Sequence, residues 1–232
     1  MKITVINGQN HKGSTWHTAA ILLDNIKCDK EVTEFFLPRD LNRFCAGCFA
    51  CVEGRDKCPY WEEKKKIDDA LVAADLIILT SPNYCMMPSA PMKAFFDLFF
   101  TNWGSHKPYK EMFSKKAVVI STTAGMGAGK AAKLMALNLK HWGIPEITKY
   151  ALAVNAMNWQ GVPEKKKEKI QKDMSNLGKK LSAQKPAKVG IGAKMRFGMY
   201  RNMQNANWGA SPGEKKYWED NGWLGKDRPW KR

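Results

Sequence analysis

The chain has 232 residues, with 38 Lys and Arg against 22 Asp and Glu, giving a formal net charge of +16 and a pI near 9.6. At 44% hydrophobic and 26% charged residues it can bury one sizeable core with an appendage, and no window is apolar enough for long enough to span a bilayer. The opening Met1-Lys2-Ile3-Thr4-Val5-Ile6 runs straight into a strand-like segment without the features of an export signal. A cytoplasmic protein is expected, in which six reduced cysteines argue for metal or redox chemistry and against a disulfide scaffold.

Short apolar runs alternate with helical patterns. Strands are predicted at 3–6, 32–37, 76–80, 117–122 and 150–154, and helices at 15–27, 62–74, 89–102, 129–142 and 163–183. The strands are too continuously apolar to leave one face wet, which is the mark of parallel strands covered on both sides. Gly143 and Pro145 end the fourth helix, and Pro163 opens the fifth. In that fifth helix Ile170, Met174, Leu177 and Leu181 line one face and the lysines line the other. Much of the positive charge is therefore a solvated helix face, and no nucleic-acid partner is expected. Alternating strands and helices predict an α/β fold: a doubly wound, five-stranded parallel sheet, with strand order 2-1-3-4-5 as the leading arrangement.

In such sheets ligands bind beyond the carboxyl ends of the strands. After the first strand come Asn10, Lys12, Gly13, Ser14 and Thr15, followed at once by helical pattern. Hydroxyls, a lysine and free backbone N–H groups at a helix start suit a phosphate. An ordinary turn capped by Ser14 or Thr15 is the competing reading. The stretch is neither GxGxxG nor GxxxxGK[ST], which disfavours a dinucleotide fold or a P-loop. After the third strand, Pro82, Asn83 and Tyr84 form a stiff loop able to lie along a flat ring. After the fourth, Thr123, Ala124, Gly125, Met126 and Gly127 let backbone approach a ligand closely.

Between the second strand and second helix lies CAGCFACVEGRDKC, in which Cys45, Cys48, Cys51 and Cys58 follow a CX2CX2CX6C spacing. Three thiols spaced by two residues with a fourth further on match ferredoxin-type ligation of a cluster. Zinc is disfavoured, because neither a second CxxC knuckle nor a His partner appears. A disulfide switch or plain packing of small apolar side chains are the alternatives. Cys28 and Cys85 fall outside the spacing, and His11 and His106 read as loop histidines.

Taken together, the KGST turn, the SPNY loop with PMKAFFD downstream, the TTAGMG loop and the CAGCFAC stretch make the chain from Met1 to about Leu181 resemble the flavodoxin-like NAD(P)H-dependent FMN reductase family. The cysteine stretch resembles that of its iron–sulfur flavoprotein subgroup. The resemblance implies an FMN-dependent oxidoreductase that carries electrons from NAD(P)H to a small acceptor such as a quinone or flavin. By the same resemblance, Asn10, Lys12, Ser14 and Thr15 hold the FMN phosphate, and Pro82, Asn83 and Tyr84 meet the ribityl chain and ring. Thr123, Ala124, Gly125 and Gly127 would line the other ring edge. The subgroup would add a [4Fe–4S] cluster on Cys45, Cys48, Cys51 and Cys58. It offers the alternative of an electron carrier docking an acidic partner such as ferredoxin. Gln9-Asn10-His11 stands where members often carry Ser-Pro-Arg.

Residues 1–186 are expected to form the FMN-binding domain and 187–232 a basic, aromatic extension of irregular structure. Trp208, Trp218, Trp223 and Trp230 would anchor that extension across the parent domain or a neighbouring subunit of a homo-oligomer, a dimer or tetramer. No membrane partner is expected.

Overall fold

The computed structural model describes residues 1–231. Five strands form a parallel sheet: β1 (Lys2–Asn7), β2 (Glu31–Phe36), β3 (Leu76–Tyr84), β5 (Lys116–Thr123) and β6 (Glu146–Ala153), ordered β2-β1-β3-β5-β6. A two-residue strand, β4 (Met87–Pro88), folds back antiparallel on the end of β3. Apart from this hairpin, the order is the one expected from sequence, and the strand and helix bounds shift by only a few residues. The end of the predicted 89–102 helix instead becomes a separate 3-10 turn at Phe100–Asn102, and a four-residue helix, α2 (Ala50–Glu53), forms within the cysteine stretch.

The strands bury both faces because their side chains alternate between two cores. On one side Ile6, Ile77, Leu79 and Val119 meet α3 (Trp61–Ala73), α4 (Ala90–Leu98) and α5 (Ala128–His141), with Trp142 fully buried among them. On the other side Ile3, Val5, Ile78, Val118 and Ile120 meet α1 (Ser14–Asn25) and α6 (Glu164–Ser182). The lysine-rich face of α6 points outward, as its spacing requires, and Ile170 and Met174 are buried. No helix among the described residues is long and apolar enough to cross a membrane.

The extension departs from the expected irregular structure. It forms α7 (Ile191–Asn205) and α8 (Pro212–Asp220). In α7, Ala193, Phe197, Tyr200 and Gln204 are buried at helical spacing. Gly192, Gly198 and the apolar residues on the opposite face obscure that period in the sequence. In α8, Ser211 and Glu214 form a reciprocal capping box with Pro212 in the first turn. Phe197, Tyr200, Trp218 and Trp223 then pack on Phe113, making a third, aromatic core against the parent domain.

Polar anchors fix this docking. Trp218 Nε1 donates to the His106 carbonyl at 2.7 Å, Tyr217 Oη to the Pro108 carbonyl at 2.7 Å, and Gln204 Nε2 to the Ser105 carbonyl at 2.7 Å. The buried Glu214 carboxylate lies 2.6 Å from His106 Nδ1. Truncating Trp218, which is fully buried, should cost about 3–5 kcal/mol. The expected outcome is a lower urea midpoint for Trp218→Ala, whereas an unchanged midpoint would mean that the aromatic core adds nothing to the fold.

Beneath the sheet the Lys115 ammonium, 4% exposed, donates to the carbonyls of Val72 at 2.7 Å and of Ala74. It thereby satisfies the end of α3. Burial pushes its pKa down to about 8 from an ordinary 10.5. Between those values the unfolded chain holds a proton that the folded chain has released, so this group makes stability rise with pH across that window. Denaturation profiles of the parent and Lys115→Met should differ by that rise; parallel profiles would contradict it.

Candidate functional site

Three strand ends are tied together by buried polar groups. Asn7, at the end of β1, accepts from Thr80 Oγ1 at 2.8 Å and donates through Nδ2 to Glu34 at 2.8 Å. Gly8 N donates to the Thr80 carbonyl at 2.7 Å, and Ser89 Oγ donates back to the Gly8 carbonyl. A Cβ at Gly8 would sit 2.8 Å from Ser89 Oγ and 3.0 Å from the Thr80 carbonyl, so only glycine lets β1 and β3 close here. Across the sheet Thr15 Oγ1 and Thr122 Oγ1 share a hydrogen bond at 2.6 Å, joining α1 to the end of β5.

Above this floor opens a cleft of about 220 Å³ lined from four strand ends. Gln9, His11, Gly13, Ser14, Thr15 and Trp16 form one end. The α1 N-terminus there has Gly13 at the cap position, with no side-chain cap and no acidic residue in its first turn. The reading of Ser14 or Thr15 as an ordinary cap therefore fails, and the first-turn N–H groups and the positive end of the helix dipole are left for an anion. Burial, with the nearby Lys12 ammonium, lowers the His17 pKa below its ordinary value. The imidazole is thus neutral near pH 7 and adds no charge there. It stacks on Trp159 at 4.8 Å.

The other end is made by Pro82, Asn83, Tyr84, Thr122, Thr123 and Ala124. Asn83 Nδ2 donates to the Met126 carbonyl at 2.9 Å, while its buried Oδ1 has no partner among the described residues. Gly127, at φ +96°, starts α5. A Cβ on it would sit 2.4 Å from Met86 Sδ, so glycine both permits the left-handed turn and lets this loop press against the β3–β4 hairpin. The chemistry of the lining suits an anion at one place and a polar-edged group at another, as a flavin phosphate and ring would need. An uncapped helix start lies at one end and an orphaned buried acceptor between two stiff loops at the other.

Of the residues expected from sequence, Ser14, Thr15, Pro82, Asn83, Tyr84, Thr123 and Ala124 line the cleft. Asn10, Lys12, Gly125 and Gly127 do not line it. Lys12 lies over the Trp16 ring at 4.6 Å, and Gly127 acts through Asn83 and Met86. Asn7, Gln9, Trp16, Thr80 and Thr122, and also Val154, Ala156 and Met157 after β6, line the cleft without being among the residues assigned from sequence. Two signals were available: polar residues closing apolar strand runs, and a fourth strand-end loop.

The cysteine stretch behaves differently from expectation. Cys45, Cys48, Cys51 and Cys58 border one cleft, but it holds only about 10 Å³, roughly the room of a single water. All four are free thiols; Cys51 is buried, Cys58 half-buried, and Cys45 and Cys48 face outward. Among the described residues no group of three or more His, Cys, Asp or Glu side chains converges to hold a metal ion. As arranged, the residues do not fit a [4Fe–4S] cluster.

The segment is held instead by other groups. The Arg55 guanidinium stacks on Tyr109 at 3.9 Å and donates to Asn102 Oδ1 at 2.6 Å. On its far side, Gly213 N at the start of α8 donates to Glu53 Oε2 at 3.1 Å. The loop is thus clamped between the parent domain and the extension.

The sequence profile of the NADPH-dependent FMN reductases matches residues 1–158. Among solved structures, the chain is similar to an FMN-dependent NADH-azoreductase from Bacillus anthracis str. Ames Ancestor, which was solved in complex with FMN. That similarity is at 12% identity and TM-score 0.56, covering 78% of this chain and 100% of that one. It is also similar to an NAD(P)H:quinone oxidoreductase from Methanothermobacter marburgensis, with 13% identity, TM-score 0.54 and coverage of 76% and 96%. A flavoenzyme NAD(P)H:(acceptor) oxidoreductase from Paracoccus denitrificans matches with 18% identity, TM-score 0.50 and coverage of 77% and 95%. At these identities the structures speak for the shared fold alone, and no curated protein matches the chain. With the family profile covering its sheet and every strand end that builds the cleft, the chain belongs to the NADPH-dependent FMN reductase family.

Proposed function

We propose that the strand-end cleft holds FMN with its phosphate at the α1 N-terminus and its ring between the loops after β3 and β5, and that the chain passes electrons from NAD(P)H to a small acceptor. The observation that carries this reading is the start of α1, uncapped and without an acidic residue in its first turn, opening into the same cleft as Asn83 and Thr123. FMN, when bound, supplies the hydride and electron chemistry. The protein's part is binding and orientation. Ser14 and Thr15 with their backbone N–H groups hold the anion, and Pro82 and Tyr84 border the ring. Asn83 offers its free Oδ1 to a ring N–H donor, and Gly127 keeps the two loops in register. No side chain in the cleft is assigned as a proton donor.

The acceptor belongs to the class of quinones, flavins or similar small oxidants, since the open cleft has exposed apolar groups at Tyr84 and Met157 on which a second flat molecule can rest. An iron–sulfur cluster and the protein-to-protein carrier role built on it have no part in this reading.

Two outcomes test it. Ser14→Glu places a carboxylate where the phosphate is to sit, and should weaken FMN binding by about tenfold or more while leaving riboflavin, which lacks the phosphate, nearly unaffected. Fluorescence titrations of both ligands read the difference, and equal losses would sink the assignment of the phosphate end. Separately, protein purified without oxygen should carry flavin absorbance without stoichiometric iron or acid-labile sulfide. Four irons and four sulfides per chain, as in a [4Fe–4S] cluster, would restore the cluster on Cys45, Cys48, Cys51 and Cys58.

A further inference from the structure

The helix α7 is apolar on two opposite sides. Ala193, Phe197 and Tyr200 face the aromatic core. On the reverse side Ile191, Met195 and Met199, spaced by four, are 78%, 70% and 49% exposed. At about 100° per residue, Lys194 and Arg196 flank Met195 on either side. From residue 183 to 213 the sequence contains no Asp or Glu, while Lys185, Lys188, Lys194, Arg196 and Arg201 supply positive charge.

An apolar ridge whose own segment carries only positive charge has a limited set of complements. A second copy of a chain with net charge +16 would bring like charge against like, which disfavours self-association through this face. A small ligand needs a concavity, and Ile191, Met195 and Met199 line none of the molecule's main clefts. A fluid surface that carries negative charge and yields to protruding side chains meets both demands. We propose that the α7 ridge docks the chain on an anionic lipid surface, with Ile191, Met195 and Met199 entering the headgroup boundary and the flanking lysines and arginines meeting lipid phosphates. The contact is peripheral. It departs from the sequence expectation of no membrane partner, because the exposure of this one face emerges only once the other is seen to be buried.

The test is sedimentation of the full flavin-loaded chain with vesicles. The parent should sediment with mixed phosphatidylglycerol and phosphatidylcholine vesicles at low salt and be released by salt. It should stay in solution with phosphatidylcholine alone. Met195→Glu should lower vesicle binding about tenfold, while Leu137→Glu, at an exposed apolar position on α5 (44%), should not.

Equal binding to both vesicle types, no binding to either, or full binding by Met195→Glu would overturn the proposal. So would a parent that binds soluble polyglutamate as tightly as vesicles with the same loss in Met195→Glu, which would make the face a site for acidic protein. If light scattering shows a parent oligomer that Met195→Glu splits, the face is a subunit interface and the lipid assignment fails. None of these readings depends on where FMN binds.

Discussion

The hydrogen-bonded junction of Asn7, Gly8, Thr80 and Ser89 is the constraint on which the rest of the molecule turns. Parallel strands buried on both faces have no spare polar groups along their length, so the chain must satisfy its polar atoms at the strand ends. Here Thr80 Oγ1 donates to Asn7 Oδ1, and Gly8 lets its backbone reach β3. The junction fixes how far β1 stops short of the loop that starts α1. It also sets the height of the β3 loop above the sheet. Shifting it would move the phosphate end and the ring end of the cleft relative to each other. The Thr15–Thr122 bond performs the same service between α1 and β5.

Much of the fold was legible because it rests on long apolar runs and helix-terminal signals, which report burial directly. The lysine face of α6 and the Gly143–Pro145 stop after α5 are examples. The site was legible in part. Ser14, Asn83 and Thr123 announced themselves through loop chemistry, whereas Asn7, Thr80 and Thr122 looked like the unimportant ends of strands, since only the register of β1, β3 and β5 brings them side by side. The residues after β6 were missed for a similar reason. Val154 and Met157 carry no motif and reach the cleft only because β6 pairs with β5. Lys12 carries a charge that suits a phosphate, and its ammonium lies over the ring of Trp16, a cleft residue that has no motif to mark it.

The cysteine stretch and the extension exposed the limits of spacing arguments. CX2CX2CX6C spaces four thiols so that they can converge, but convergence also depends on which way the backbone turns between them. Gly47 and Phe49 both adopt left-handed conformations, Cys51 is drawn into the core, and Arg55 and α8 grip the segment from two sides. The extension looked irregular because α7 is apolar on both sides, which erases the contrast that periodicity needs. Its buried side completes the aromatic core and its start at α8 braces the cysteine loop, so the last fifth of the chain contributes directly to the shape of the flavodoxin-like part.

The central claim is that one cleft, built from four strand ends, receives FMN with its phosphate at the start of α1. Backbone amide shift mapping by ¹⁵N NMR during titration with FMN tests it most directly. The account predicts that the amides of Gly13, Ser14, Thr15 and Trp16 move together with those of Asn83, Tyr84, Thr123 and Ala124, while the cysteine loop and α7 stay still. Shifts centred on the cysteine loop or on the extension, with the α1 amides unmoved, would contradict it.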